Sequence, residues 1–121
     1  MEIPVIKKTK EGIEVHLLPI RDIWYVSVEN NRDVVYHTKE DFYFQPTSME
    51  QVYTFLQEHN FQKLDRGVVA NMDNVHHLDT DFGKVYFEPE YNDDSKYATV
   101  AFSNLRKIKK FFKQRFENKK D

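Results

Sequence analysis

Asn60-Phe61-Gln62-Lys63-Leu64-Asp65-Arg66-Gly67-Val68-Val69-Ala70-Asn71-Met72-Asp73-Asn74-Val75 sets the pattern for the whole chain. Two short runs, Gln62 to Leu64 and the apolar Val68 to Ala70, stand either side of Asp65-Arg66-Gly67, and Asn71 and Asp73 punctuate the residues up to Val75. Runs this short, rich in β-branched residues and bounded by Gly, Asn and Asp, predict strands joined by tight turns. The same signal continues with Val75 to Leu78, Lys84 to Phe87 after Gly83, and Tyr97 to Phe102. The acidic stretch Glu88 to Asp94 reads as an exposed loop.

Upstream the pattern is similar. Ile13, Val15 and Leu17 alternate with Glu14, His16 and Leu18, which predicts a half-buried strand entered at Gly12 and ended by Pro19. Asp22 to Val28 and Val34 to Thr38, separated by the polar Glu29-Asn30-Asn31-Arg32-Asp33, predict a β-hairpin. After Lys39-Glu40-Asp41, Phe42 to Phe44 form a further strand stopped at Pro46.

Two segments carry helical periodicity instead. Ser48 stands three residues before Gln51 as a capping box, and Met49, Val52, Tyr53 and Leu56 share one face, predicting a helix near 48–58. Ser103 is placed to cap a closing helix near 104–117, where Leu105, Ile108, Phe112 and Phe116 recur at helical spacing opposite a basic face. The expected class is mainly β: short antiparallel strands in stacked small sheets, with one capped helix and one C-terminal basic amphipathic helix.

No repeat or Gly/Ser linker divides the 121 residues, so one domain over 1–121 is expected. Hydrophobic residues make up 40% of the chain, enough for a core without disulfides. The absence of cysteine suits a reducing, cytoplasmic compartment. No signal-peptide pattern opens the chain, and no apolar run of about 18 residues suggests membrane insertion. The net charge of −2 disfavours a nucleic-acid binder, but its distribution points the other way. From Asn104 onward eight Lys or Arg face two acids, against ten basic and eighteen acidic side chains in the first 103 residues.

Catalytic machinery is not legible, and no cofactor is expected. There is no nucleophile elbow, phosphate loop or dinucleotide fingerprint. His76 and His77, adjacent in a predicted strand, point to opposite faces and cannot hold one metal together; one ring is expected to pack and the other to be solvated. Asp79-Thr80-Asp81 mimics the start of a calcium loop, but Lys84 occupies the position that needs glycine, so a tight hairpin turn is expected. The many aromatics read mainly as core, with base stacking as the other option.

Taken in order, Asp22-Ile23-Trp24-Tyr25-Val26, the hairpin to His37, the helix from Ser48 to Glu58 and the stretch from Phe61 to Val75 resemble the LytTR family of DNA-binding domains. The resemblance covers roughly residues 11 to 113. It implies a sandwich of antiparallel sheets that meets double-stranded DNA with loops in successive major grooves, and control of bacterial promoters through paired direct repeats. It implies response-regulator-like transcription regulation, although 121 residues leave no room for a receiver domain. A homodimer on DNA and a membrane protein acting as regulator are the partners such members have.

Carried over residue by residue, the resemblance places base reading at Asn31 and Arg32 in the hairpin loop, at Arg66, and at Ser103 with Asn104. Arginine suits a bidentate contact to guanine and asparagine to adenine. Lys63, Arg106, Lys107, Lys109 and Lys110 are the expected phosphate contacts. Two departures stand out: Asp65 occupies a position where the family has histidine, and the family's arginine after Ser103 is absent. They leave open a protein-interaction module that has kept the fold and lost DNA. Exposed aromatics leave open a single-strand or RNA binder.

Overall fold

The computed structural model describes residues 1–29 and 33–117. The chain runs through β1 (Glu2–Thr9), β2 (Gly12–Pro19), β3 (Tyr25–Glu29), β4 (Asp33–His37), β5 (Phe42–Gln45), α1 (Met49–Leu56), β6 (Phe61–Asp65), β7 (Val68–Asn71), β8 (His77–Asp79), β9 (Lys84–Tyr86), β10 (Tyr97–Thr99) and α2 (Leu105–Glu117). Short 3-10 turns at Ile20–Asp22, Gln57–His59, Met72–Asn74 and Phe102–Asn104 make the corners. The expected mainly β class with two helices is what the chain adopts.

The strands form two antiparallel sheets, one in the order β2-β1-β5-β4-β3-β7-β6 and a smaller one in the order β10-β9-β8. One face of the large sheet, with Ile3, Val5, Val26, Val34, Tyr36, Phe61 and Val69, packs against Val52 and Leu56 of α1. Among the described residues its other face is covered only at the β3-β7-β6 end. There Leu64 and Ala70 meet Val85 and Ala98 of the small sheet, the flanking Phe87 and Val100, and Ile108 and Phe112 of α2.

Local chemistry explains the elements. The Ser48 hydroxyl accepts the Gln51 backbone N–H at 3.2 Å, the predicted cap of α1. Asn60, in the left-handed conformation (φ 64°), turns the chain from the end of this helical segment into β6. The Asp79 carboxylate accepts the N–H groups of Asp81 and Phe82, the tight hairpin turn expected there.

Three expectations need correction. β1 was not foreseen: its apolar side chains are broken up by Pro4, Lys7 and Lys8, so its strand signal is weak alone and becomes clear only paired along β2. β2 has the predicted alternation but the opposite facing, because Leu18 is buried while Ile13, Val15 and Leu17 point to solvent. Ser103 does not cap α2. It lies inside the Phe102–Asn104 turn, which starts from Ala101 and has no side-chain capping bond.

Candidate nucleic-acid interface

Strands β6 and β7 fall out of register between Lys63 and Asp65, which bends the hairpin end carrying Asp65-Arg66-Gly67. The Asp65 carboxylate folds back to accept the Arg66 backbone N–H at 2.6 Å, and the Arg66 side chain is exposed. Among the described residues Arg66 forms no ion pair with Asp65 or Asp73; Asp73 accepts from the Asn60 amide instead.

Two sets of backbone bonds fix this turn between its neighbours. On one side the Val28 N–H donates to the Gly67 carbonyl at 3.1 Å, setting the turn beside the end of the β3–β4 hairpin. That hairpin closes at the Glu29 and Asp33 pair. Asn31 and Arg32, assigned to its tip, lie outside the described residues. On the other side the Leu64 carbonyl accepts both the Ala101 N–H at 2.9 Å and the Asn104 side-chain amide at 3.0 Å. The end of β3, the Asp65-Arg66-Gly67 turn and the Phe102–Asn104 turn are therefore consecutive neighbours.

Ser103 is exposed and Asn104 half-buried. Asn104 spends one amide hydrogen on Leu64 and keeps its carbonyl oxygen and a second hydrogen. Phe102 is 77% exposed, an unusual state for a large aromatic side chain.

Helix α2 comes directly after this turn. Ile108 and Phe112 are buried, whereas Arg106, Lys107, Lys109 and Lys110 are exposed. Near its far end the Arg115 guanidinium donates to the carbonyls of Met72 and Val75 at 2.6 and 2.8 Å, locking the helix onto the Met72–Asn74 turn. Lys63 is not with this group. Its partner Val69 faces α1, and its ammonium stands over the Tyr53 ring at 4.8 Å, on the opposite face of the large sheet from α2.

Asn71 and Asn74, landmarks of the sequence pattern, build the scaffold. The buried Asn71 amide donates to the Ile23 carbonyl at 3.0 Å while its oxygen accepts the Asp73 N–H. Asn74 donates to the carbonyls of Arg21 and Ile23. Their position among the apolar Val68 to Ala70, Met72 and Val75 was the available signal, since a buried amide must find backbone partners.

His37 was also overlooked. Its ring stacks on Tyr25 at 4.1 Å, and its Nε2 lies 2.8 Å from the Ser27 hydroxyl and 3.7 Å from Glu29. Burial, and then the Lys96 ammonium, push its pKa down to about 4; the half-exposed Glu29 carboxylate does not offset them. Serine and glutamate meet the same ring nitrogen, so the trio cannot relay a proton in the manner of a nucleophile, base and orienting acid, which needs both nitrogens. The adjacent histidines divide as expected, with His77 stacked on Tyr91 at 4.6 Å and His76 exposed.

No described helix is long and apolar enough to cross a membrane. No curated protein matches the chain. A solved LytTr DNA-binding domain from Bacillus cereus superposes with a TM-score of 0.68 over 92% of this chain and 95% of that one, at 14% identity, a likeness of fold. The family model for the LytTr DNA-binding domain matches residues 14–113. With most of its length accounted for by that model, the chain belongs to the LytTr DNA-binding domain family.

Proposed function

We propose that this chain binds double-stranded DNA sequence-specifically as a bacterial transcriptional regulator, with its three neighbouring turns entering successive major grooves. The observation that carries this reading is the hydrogen-bonded series from Val28 to Gly67 and from Leu64 to Ala101 and Asn104, which holds those segments side by side. Membership of a DNA-binding family supplies the ligand class.

In this reading Arg66 makes a bidentate contact to a guanine, and the remaining oxygen and hydrogen of Asn104 suit an adenine. Asn31 and Arg32 read from the hairpin tip, and Ser103 contributes beside Asn104. Arg106, Lys107, Lys109 and Lys110 hold phosphates, fixing register without reading sequence. Lys63, across the sheet, reaches only flanking phosphates, and its loss has the smaller effect. Paired sites as direct repeats are the expected target, each repeat read by the row of turns of one copy.

Selection from random duplexes followed by anisotropy titration tests the proposal. A preferred site should emerge, and Arg66→Ala should weaken it by about 1–3 kcal/mol and relax selectivity at one position. Equal binding to every duplex, or none at about 50 mM salt, overturns it and favours a protein-interaction module. Stronger competition by single strands points instead to stacking on Phe102 and Phe82, both about three-quarters exposed.

A further inference from the structure

The β2 edge of the large sheet, opposite the β6 edge, is built as though another strand should lie along it. Pro4 has no N–H, so its pair with Leu17 is a non-hydrogen-bonded one, and the β1–β2 ladder bonds fall on Ile3 with Leu18, Val5 with His16, Lys7 with Glu14 and Thr9 with Gly12. Alternation then directs the backbone N–H and carbonyl groups of Ile13, Val15 and Leu17 outward from the sheet, where no described strand receives them. Their side chains are exposed by 67, 74 and 63%.

Over the stretch that would pair, most devices that normally protect such an edge are missing, Glu14 being its one charged side chain and Pro19 lying at its end. From Gly12 to Leu18 there is no lysine and no proline, and the β1–β2 register runs without a bulge. The opposite edge differs, because β6 carries both a lysine and a register shift.

We propose that a second copy of this chain pairs antiparallel along β2 about a two-fold axis at Val15. The sequence of the strand complements itself in that register. Val15 meets Val15, and Ile13 meets Leu17 on each side of the axis, all as hydrogen-bonded pairs with apolar side chains on one face. On the other face Glu14 stands opposite His16 twice, a carboxylate against an imidazole. Within one copy these two side chains already touch at 3.1 Å, so their chemistry is matched. Pro19, which has no N–H to offer, falls opposite Glu11, where the pairing ends. The interface is isologous and closed, so it yields a dimer and not a filament. It leaves Arg66 and α2 uncovered, at the far end of each sheet, and does not depend on DNA binding.

Sedimentation equilibrium of the full chain across a concentration series, without DNA, provides the test. The chain should dimerise, and Val15→Lys, which sets like charges against each other on the axis, should raise the dimer dissociation constant by about tenfold or more. Glu14→Lys and His16→Glu should each weaken the dimer, and the double exchange should restore it. Because the chain has no cysteine, Val15→Cys under mild oxidation should give a single cross-linked dimer. Circular dichroism checks that each variant keeps the monomer fold. A chain that stays monomeric overturns the proposal, as does a dimer indifferent to Val15→Lys. A dimer that Val15→Lys disrupts but the double exchange does not restore also overturns it, since another register or face then holds the copies together.

Discussion

The two ends of the large sheet carry strands of similar composition in opposite circumstances. At the β3-β7-β6 end both faces are covered, by α1 on one side and by the small sheet with α2 on the other. At the β2-β1-β5 end the described residues cover only the α1 face, and Ile13, Val15 and Leu17 are exposed. A leucine on each edge strand shows the difference: Leu64 on β6 is fully buried, whereas Leu17 on β2 is 63% exposed. Apolar content alone therefore does not say where a strand is buried. The second layer does, and it is supplied by residues far along the chain.

Substituting leucine by alanine at both edges gives the largest expected contrast. Leu64→Ala opens a cavity between the sheets and should cost about 2–5 kcal/mol in urea denaturation. A cost below about 1 kcal/mol would mean that the small sheet and α2 do not seal that end.

His37 lies at the border between the two ends, and acid probes it. Its folded pKa of about 4 lies below the ordinary value of 6.5, so between those pH values the unfolded chain binds more protons. The resulting contribution is complete above about pH 6.5 and is lost as pH falls toward 4, on the order of 3 kcal/mol. His37→Gln should remove that part of the pH dependence. Identical slopes for the two proteins would show that the ring is solvated.

A smaller effect is expected within the cover itself. Gly83 has φ +63°, and a Cβ there would sit 2.7 Å from the Val100 carbonyl oxygen. Gly83→Ala should therefore destabilise by about 1–3 kcal/mol, with faster hydrogen exchange in β9 and β10 than in β1. Smallest of all, Leu17→Ala at low protein concentration should change stability by no more than about 0.5 kcal/mol. A loss approaching that of Leu64→Ala would break the contrast.

Much of the fold was legible from the chain because its signals are local. The Ser48 cap, the Asp79 turn and the strand runs around Gly67 all act within a few residues. What stayed hidden depends on pairing across long separations. Period-two alternation marks β2 as a strand but is symmetric between its faces, so it cannot say which side lies inward. The neighbouring Leu18 held the answer, yet it becomes decisive only when β1 and α1 are in place. The proposed reading surface divides similarly. Arg66 and the basic face of α2 stand out as sequence features, whereas the hydrogen bond that the Asn104 amide donates to the Leu64 carbonyl, setting its turn beside the Asp65-Arg66-Gly67 turn, spans 40 residues. Lys63 shows the converse, being close to Arg66 in sequence yet on the other side of the sheet.

The Leu64 carbonyl, with both of its lone pairs engaged, also constrains how relatives of this chain can diverge. Adding or deleting a residue between Leu64 and Gly67 would move the two donors and the Val28 contact together, so length change in that corner is disfavoured and novelty must come by exchanging side chains. The Glu88–Asp94 stretch, outside any strand or helix, is held instead by the Tyr91 ring stacked on His77 and Tyr86, and insertions are expected to accumulate on either side of that ring.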